Sequence, residues 1–183
     1  MKYLLIAGCL FGWLVACGPA AESPAAAAET QFRTTQPSHL YFKNIRSSRY
    51  QQETQADSRL DLYQLRASAD TEQRPILHPV IVDNWMADEA YLQLEPNAYE
   101  GGFTDTLRVA WRSERDSGQF ELARRDWPSQ FRFAQRLYKG LQAGQHFRIQ
   151  TAAGGYAPLL EENKDRQNFL TTLRDYNKLI EHR

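Results

Sequence analysis

The chain of 183 residues has few cysteines and few histidines. Both cysteines, Cys9 and Cys17, fall within the first 17 residues, so the rest of the chain has no disulfide, thiolate metal site or thiol nucleophile. The four histidines lie far apart, and none has a neighbour at the spacing of metal ligands. They are His39, His78, His146 and His182. The sequence therefore predicts no metal site and no cofactor.

Neither sign of charge is in excess, because 22 basic residues balance 22 acidic ones. Nucleic-acid-binding domains usually carry a basic face, so we expect no nucleic-acid partner. Only five of the basic residues are lysines, and the rest are arginines. Arginine binds carboxylates and phosphates in a bidentate manner, which suits an anionic glycan or lipid headgroup. A genome rich in arginine codons would produce the same bias.

An uncharged apolar run begins directly after Lys2 and extends over residues 3–16. A basic start followed by an apolar segment of this length is typical of a signal peptide. A membrane-spanning helix needs about 20 apolar residues, and Gly18-Pro19 ends the run before that length. The N-terminus therefore predicts export.

The run ends in Leu14-Val15-Ala16-Cys17, which resembles the lipobox of bacterial lipoprotein precursors. In that family a diacylglycerol is joined to the cysteine thiol, and a peptidase then cuts before the cysteine. The resemblance implies a signal peptide at 1–16 and lipid attachment at Cys17. A single acyl chain binds a membrane only marginally, but two or three hold a protein there essentially permanently. An ordinary secretory signal cut within residues 16–28 is the alternative.

Gly18 follows the cysteine where an Asp favours inner-membrane retention in many lipoproteins, so the resemblance implies the outer membrane. No acidic cluster follows either, which favours the periplasmic leaflet. Residues 17–38 are rich in Ala, Glu, Ser, Thr, Gln and Pro, a composition that predicts a flexible tether behind the lipidated cysteine. Residues 39–183 have the size of one globular domain.

The order of periodic segments in this domain predicts an α+β fold with a mostly antiparallel, meandering sheet. We expect about six or seven strands, the first over 39–50 with a bulge, followed by a polar loop over 51–58. Two helices in the C-terminal half should pack on one face. One begins after an N-cap at Asp126 and ends near Gly144, and the other begins at Asn163.

The densest polar segment, residues 83–89, lies in a turn between two predicted strands. Asp83, Asp88 and Glu89 are catalytic candidates, because a carboxylate pair can cleave glycosidic bonds. A turn whose Asp and Asn side chains satisfy backbone groups is the simpler interpretation. Trp85 is either a hydrophobic plug or a platform on which a sugar ring stacks.

Lys43, Arg46 and Arg49 form a second candidate cluster, and the ligand-binding candidates in it are Arg46 and Arg49. If a bulge brings these residues to one face of the predicted strand, they could bind an anionic ligand. A solvated strand edge that discourages strand addition accounts for the same pattern. The sequence therefore favours a membrane-tethered envelope lipoprotein that acts as a binding or assembly module rather than an enzyme. Its partners would be the membrane, through the lipid anchor, and another envelope protein, a glycan or a lipid. The alternative is a lipoprotein hydrolase of envelope polymers that uses a carboxylate pair.

Overall fold

Eight strands and three α-helices lie within residues 32–68 and 71–182, the part of the chain that the structure, a computed structural model, describes. The predicted signal peptide (1–16) and Cys17 lie outside these residues. The prediction of an α+β fold with antiparallel strands is confirmed. In chain order the elements are α1 (Gln36–Tyr41), β1 (Tyr50–Gln55), β2 (Leu60–Leu65), β3 (Leu77–Asn84), β4 (Glu89–Pro96), β5 (Leu107–Arg112), β6 (Ser117–Leu122), α2 (Trp127–Gln142), β7 (His146–Gln150), β8 (Tyr156–Leu159) and α3 (Asn163–Leu179).

The first sheet has the strand order β1-β2-β3-β4 and is antiparallel throughout. β3 pairs with β4 along its whole length, whereas β2 pairs only with the four β3 residues from Val80 to Asp83. A proline cannot donate a hydrogen bond to a neighbouring strand. Pro79 is nevertheless accommodated in this central strand, because it lies just beyond the last residue of β3 that pairs with β2.

The second sheet has the order β6-β5-β7-β8 and is also antiparallel. The expected single sheet of six or seven strands is therefore wrong, since the strands divide into two sheets of four. β4 ends at Pro96, and residues 97–106 lead the chain away before β5 begins. The side chain of Asn97 holds the start of this connection, because its Oδ1 accepts a hydrogen bond from the backbone N–H of Ile76 at 2.7 Å.

Both predicted helices are confirmed. The Asp126 side chain caps α2 by accepting a hydrogen bond from the Ser129 N–H at 2.7 Å, and Pro128 lies in the first turn, where no N–H is needed. α2 contacts β4 and β6, so it packs against both sheets instead of one face of a single sheet, and α3 packs on β3 and β4. Among the described residues, no helix has the length and apolar character needed to cross a bilayer.

The strand predicted over 39–50 is wrong, because residues 39–49 are helical. The polar loop expected over 51–58 is wrong as well, since β1 covers its first half. Thr35 caps α1 through a hydrogen bond from the Ser38 N–H, and the Ser38 hydroxyl lies 3.1 Å from the Thr35 N–H in return. A π-helical turn (Phe42–Arg46) and a 3-10 turn (Ser47–Arg49) continue to β1. The apolar alternation that predicted a strand does not correspond to burial, since Phe42 is buried but Leu40 is 51% exposed.

The folded part of the chain begins before residue 39, where the tether was expected to end. Phe32 is buried in the core, and the N–H of Thr34 donates to the carbonyl oxygen of Asp88 at 2.8 Å. Arg33 forms a bridge with Glu89 at the start of β4. The first described residues are therefore attached to the β3–β4 turn, which fixes where the preceding chain joins the domain.

Candidate functional site

Asp83, a catalytic candidate from the sequence, lies near the end of β3 with 0% of its surface exposed. Its Oδ2 lies 2.9 Å from His39 Nε2 and 3.2 Å from Lys43 Nζ. Its Oδ1 has no hydrogen-bond partner among the described residues. Both contacting residues come from the helical segment that begins with α1, so this carboxylate joins that segment to the first sheet.

Lys43 is the centre of an ionic cluster that we define as His39, Lys43, Asp61, Tyr63 and Asp83. Its Nζ lies 3.0 Å from Asp61 Oδ2 and donates to the Tyr63 hydroxyl. Burial lowers the pKa of Lys43, but hydrogen bonds with Tyr63 and Asp61 outweigh it and hold the pKa above its ordinary value. The cluster therefore keeps Lys43 charged.

Asp61 is the second carboxylate of the ionic cluster, and it faces Asp83 across the β2–β3 pair. Its Oδ1 accepts a hydrogen bond from the Thr54 hydroxyl at 2.7 Å. Burial raises the pKa of Asp61, but hydrogen bonds from Thr54 and Lys43 outweigh it and hold the pKa below its ordinary value. Two carboxylates thus share one lysine in the interior, with His39 beside them.

The other two catalytic candidates lie apart from Asp83. Asp83 is paired with Ala90, and successive side chains of a strand point to opposite faces, so Glu89 lies on the other face of the sheet. There it accepts a hydrogen bond from the Tyr91 hydroxyl, and burial together with this contact raises the pKa of Tyr91 to about 12. Asp88 is exposed in the turn with a φ of 53°. The structure does not bring the three carboxylates into one site.

The two arginine candidates are also separate in their contacts. Arg46 binds Asp175 of α3 in a bidentate manner, with both N–O distances at 2.8 Å. The Tyr50 hydroxyl donates to the same carboxylate at 2.8 Å, so Arg46 links the helical segment to α3. Arg49 is exposed, and its carbonyl oxygen accepts a hydrogen bond from the Arg66 N–H. Only Arg49 presents its side chain to solvent.

Trp85 lies at the β3–β4 turn with half of its surface exposed. Met86 beside it is 55% exposed, and Arg59 Nη1 lies 3.6 Å from the Met86 sulfur. Trp85 is therefore not a plug in the core, and it remains accessible to a ligand.

An open cleft of about 810 Å³ lies between α1, the C-terminal half of α2 and the C-terminal half of α3. We call it the helical cleft. Ligand sites usually measure about 300–1,000 Å³, so its size is sufficient for a small molecule or a headgroup. The side chains that characterise it are two tyrosines, an amide and three basic groups: Tyr41, Tyr138, Asn177, Arg174, Lys178 and His182.

The walls of the helical cleft are held by contacts between helices. The Ser38 hydroxyl donates to the carbonyl oxygen of Leu179 at 2.7 Å, which joins α1 to the end of α3. Gln135 of α2 donates to the Asn177 side chain. Walls that are ordered before a ligand arrives reduce the entropy cost of binding.

Basic groups outnumber acidic ones in the helical cleft. Lys178 Nζ lies 3.7 Å from the centroid of the Tyr41 ring, and both Lys178 and Arg174 are exposed. The one carboxylate, that of Glu181, accepts a hydrogen bond from the Thr35 hydroxyl at 2.5 Å. The cleft therefore suits a ligand with an anionic group and a ring or apolar part.

A second concave surface lies on the face of the first sheet that bears Leu62, Gln64 and Val80. It holds two carboxylates, Glu53 and Glu95, around a pocket of about 80 Å³. Burial and then the charge of Glu53 raise the pKa of Glu95. A raised pKa is a property of general acids, but this pocket is smaller than most ligand sites.

Sequence reasoning missed both concave surfaces. The helical cleft combines residues from both ends of the described chain, and its basic residues on α3 follow no motif. Within residues 32–68 and 71–182, no group of three or more His, Cys, Asp or Glu side chains is arranged to hold a metal ion. The chain matches no protein-family model, and no similar curated protein or solved structure was found.

Proposed function

We propose that this protein is a lipid-anchored binding module of the bacterial cell envelope, held at the outer membrane by acyl chains on Cys17 and facing the periplasm. The lipobox-like sequence before Cys17 supports the anchor. The helical cleft supports the binding role, and it is the observation on which this proposal depends most. The ligand is an anionic envelope component whose ring or apolar part lies against tyrosines.

The position of the helical cleft agrees with a role near a membrane. Pro37 lines the cleft, and Thr35, two residues before Pro37, caps α1. Thr35 lies 18 residues after Cys17, so the chain between them extends at most about 65 Å in any conformation. The lipid anchor would therefore limit how far a ligand in the cleft could lie from the bilayer.

The anchor is tested by expressing the full chain in a diderm bacterium beside Cys17→Ala. We expect the intact mass of the wild type to match a chain that begins at Cys17 with added acyl groups. The wild type should sediment with membranes, and the variant should lack the acyl mass. A soluble wild type without acyl groups, cut at another position, would refute the anchor and leave a freely exported domain.

Phenyl phosphate tests the helical cleft, because it combines a phosphate with one aromatic ring. We expect it to raise the Tm of the purified full chain in neutral detergent more than inorganic phosphate or phenol does. Arg174→Gln/Lys178→Gln should weaken binding by about fivefold, since exposed charges contribute roughly 0.2–1 kcal/mol each. Lys164→Gln/Arg115→Gln removes two exposed charges elsewhere and should change nothing. Equal Tm shifts in both double variants would refute the site.

Glu95 supports a second candidate function, a hydrolase of envelope polymers. Its raised pKa and the facing Glu53 are features of an acid and base pair. The exposed position of Glu53 and the small pocket make this candidate weaker than the binding module. Release of soluble fragments from purified cell-wall polymer by the wild type, and its loss in Glu95→Gln, would favour the hydrolase.

A further inference from the structure

Four large apolar side chains in the described residues are at least half exposed, and they lie on two segments only. Leu40 and Ile45 belong to α1 and its π-helical turn, with exposed fractions of 51% and 57%. Trp85 and Met86 belong to the β3–β4 turn, with 50% and 55%. We call this set the apolar tip.

The two segments that carry the apolar tip are neighbours. His39, adjacent to Leu40, contacts Asp83 at 2.9 Å, and Asp83 lies two residues before Trp85. Lys43 of the same helical segment also contacts Asp83. The ionic cluster therefore holds both apolar segments at the same end of the first sheet.

The chain that would lead to the anchor enters at this same end. The Thr34 N–H donates to the carbonyl oxygen of Asp88, two residues after Met86, and Arg33 bridges to Glu89. Cys17 lies 15 residues before Phe32. A lipid on Cys17 would therefore keep the apolar tip closer to the bilayer than surfaces at the far end of the domain.

The composition of the apolar tip matches a membrane interface. Tryptophan concentrates at the boundary between headgroups and acyl chains, because its ring is apolar and its N–H is polar. Leucine, isoleucine and methionine add aliphatic surface without a hydrogen-bonding requirement. The Arg59 guanidinium, 3.6 Å from the Met86 sulfur, places a cation beside the apolar tip, where a lipid phosphate could bind it.

We propose that the apolar tip inserts into the interface of the bilayer that carries the anchor, which orients the domain and its helical cleft relative to the membrane. This inference rests on the proposed lipid anchor for its geometry. Contact with lipid removes the four side chains from water and fixes the end of the domain at which the chain enters.

An environment-sensitive dye at residue 86 tests the proposal. With Cys17 acylated, Met86→Cys supplies the only free thiol of the mature chain, and Arg115→Cys in the exposed β5–β6 turn supplies a matched control. The labelled full chain is reconstituted into phosphatidylcholine vesicles. We expect blue-shifted emission and protection from iodide at residue 86, and neither at residue 115. Trp85→Ser in the same labelled chain should reduce both effects.

Two other outcomes overturn the proposal. Water-like emission from residue 86 in attached, vesicle-bound protein would show that the tip does not reach lipid. A blue shift that appears without vesicles and grows with protein concentration would assign the tip to a second copy of the chain. Failure of the anchor is scored separately, by intact mass. Residue 86 is then labelled in the unanchored chain with Cys9→Ser and Cys17→Ala added, so that it carries the only thiol. This protein is mixed with excess vesicles, where the tip proposal still requires a blue shift.

Discussion

Replacement of Lys43 by methionine tests the ionic cluster most directly, because this side chain contacts three of its other members. Its Nζ lies 3.0 Å from Asp61 Oδ2 and 3.2 Å from Asp83 Oδ2, and it donates a hydrogen bond to the Tyr63 hydroxyl. Methionine keeps the length of the side chain and removes its charge. Asp61 and Asp83 would then remain in the interior without their shared cation.

The magnitude follows from the exposure of the charged groups. Removing one partner of a buried ion pair costs about 3–5 kcal/mol. The Lys43 side chain is 28% exposed, whereas those of Asp61 and Asp83 are 10% and 0% exposed. Water near the lysine offsets part of the loss, so we expect about 3 kcal/mol. For a chain of this size that corresponds to a fall in Tm of about 6–12 °C.

Thermal and urea unfolding of the full chain measure this loss. Lys164→Met, an exposed lysine in the first turn of α3, is the matched control and should change the free energy of unfolding by less than about 0.5 kcal/mol. Asp83→Asn added to Lys43→Met should recover about 1–2 kcal/mol, since a neutral amide needs no counter-charge. If Lys43→Met stays within 0.5 kcal/mol of the wild type, the helical segment is held by apolar packing and the reasoning fails.

Three further predictions concern stability. Asp175→Asn should lower the free energy of unfolding by about 3 kcal/mol, because Arg46 and Tyr50 lose a shared buried carboxylate; a change below 1 kcal/mol in urea unfolding would contradict this. Glu95→Gln should raise the Tm at about pH 7 but not at about pH 3. Because the pKa of Glu95 is raised in the fold, its ionisation destabilises the folded protein, and glutamine stays neutral at both pH values. The wild type should lose stability as the pH falls below about 4. The pKa of Asp61 is lower in the folded than in the unfolded chain, so its charged form stabilises the fold fully only above the unfolded pKa. Lys43→Met should show a shallower acid limb in the same titration.

The helices that the sequence predicted correctly carry local signals that tertiary contacts do not override. α2 has its N-cap at Asp126, a proline in its first turn and Gly144 just after its last turn. Each of these signals acts within a few residues. β5 and β6 surround a short turn and alternate in burial. Such features depend on neighbours in sequence, so one chain is enough to find them.

The elements that sequence reasoning missed depend on distant partners. β1 has the sequence Tyr-Gln-Gln-Glu-Thr-Gln, and only its first residue is buried, because it is an edge strand of the first sheet. α1 has six residues, and its contacts with Asp83 and Leu179 come from elements 44 and more residues away. The local signals for α1 were the capping box between Thr35 and Ser38 and the proline, Pro37, in its first turn, and both lay inside the segment assigned to the tether.

The helical segment from α1 to the 3-10 turn joins three features that the sequence left separate. It follows the proposed tether, it supplies His39 and Lys43 to the ionic cluster, and it supplies Tyr41 to the helical cleft. A pull on a lipid-anchored chain would act first on residues 32–34, which attach to the β3–β4 turn, and next on this segment. The attachment of the segment to the sheet then protects the cleft from distortion. Lys43→Met should therefore weaken phenyl phosphate binding although Lys43 does not line the cleft. If binding is unchanged in a destabilised but folded Lys43→Met protein, α1 holds its position through Ser38 and Leu179 alone, and the ionic cluster serves stability only.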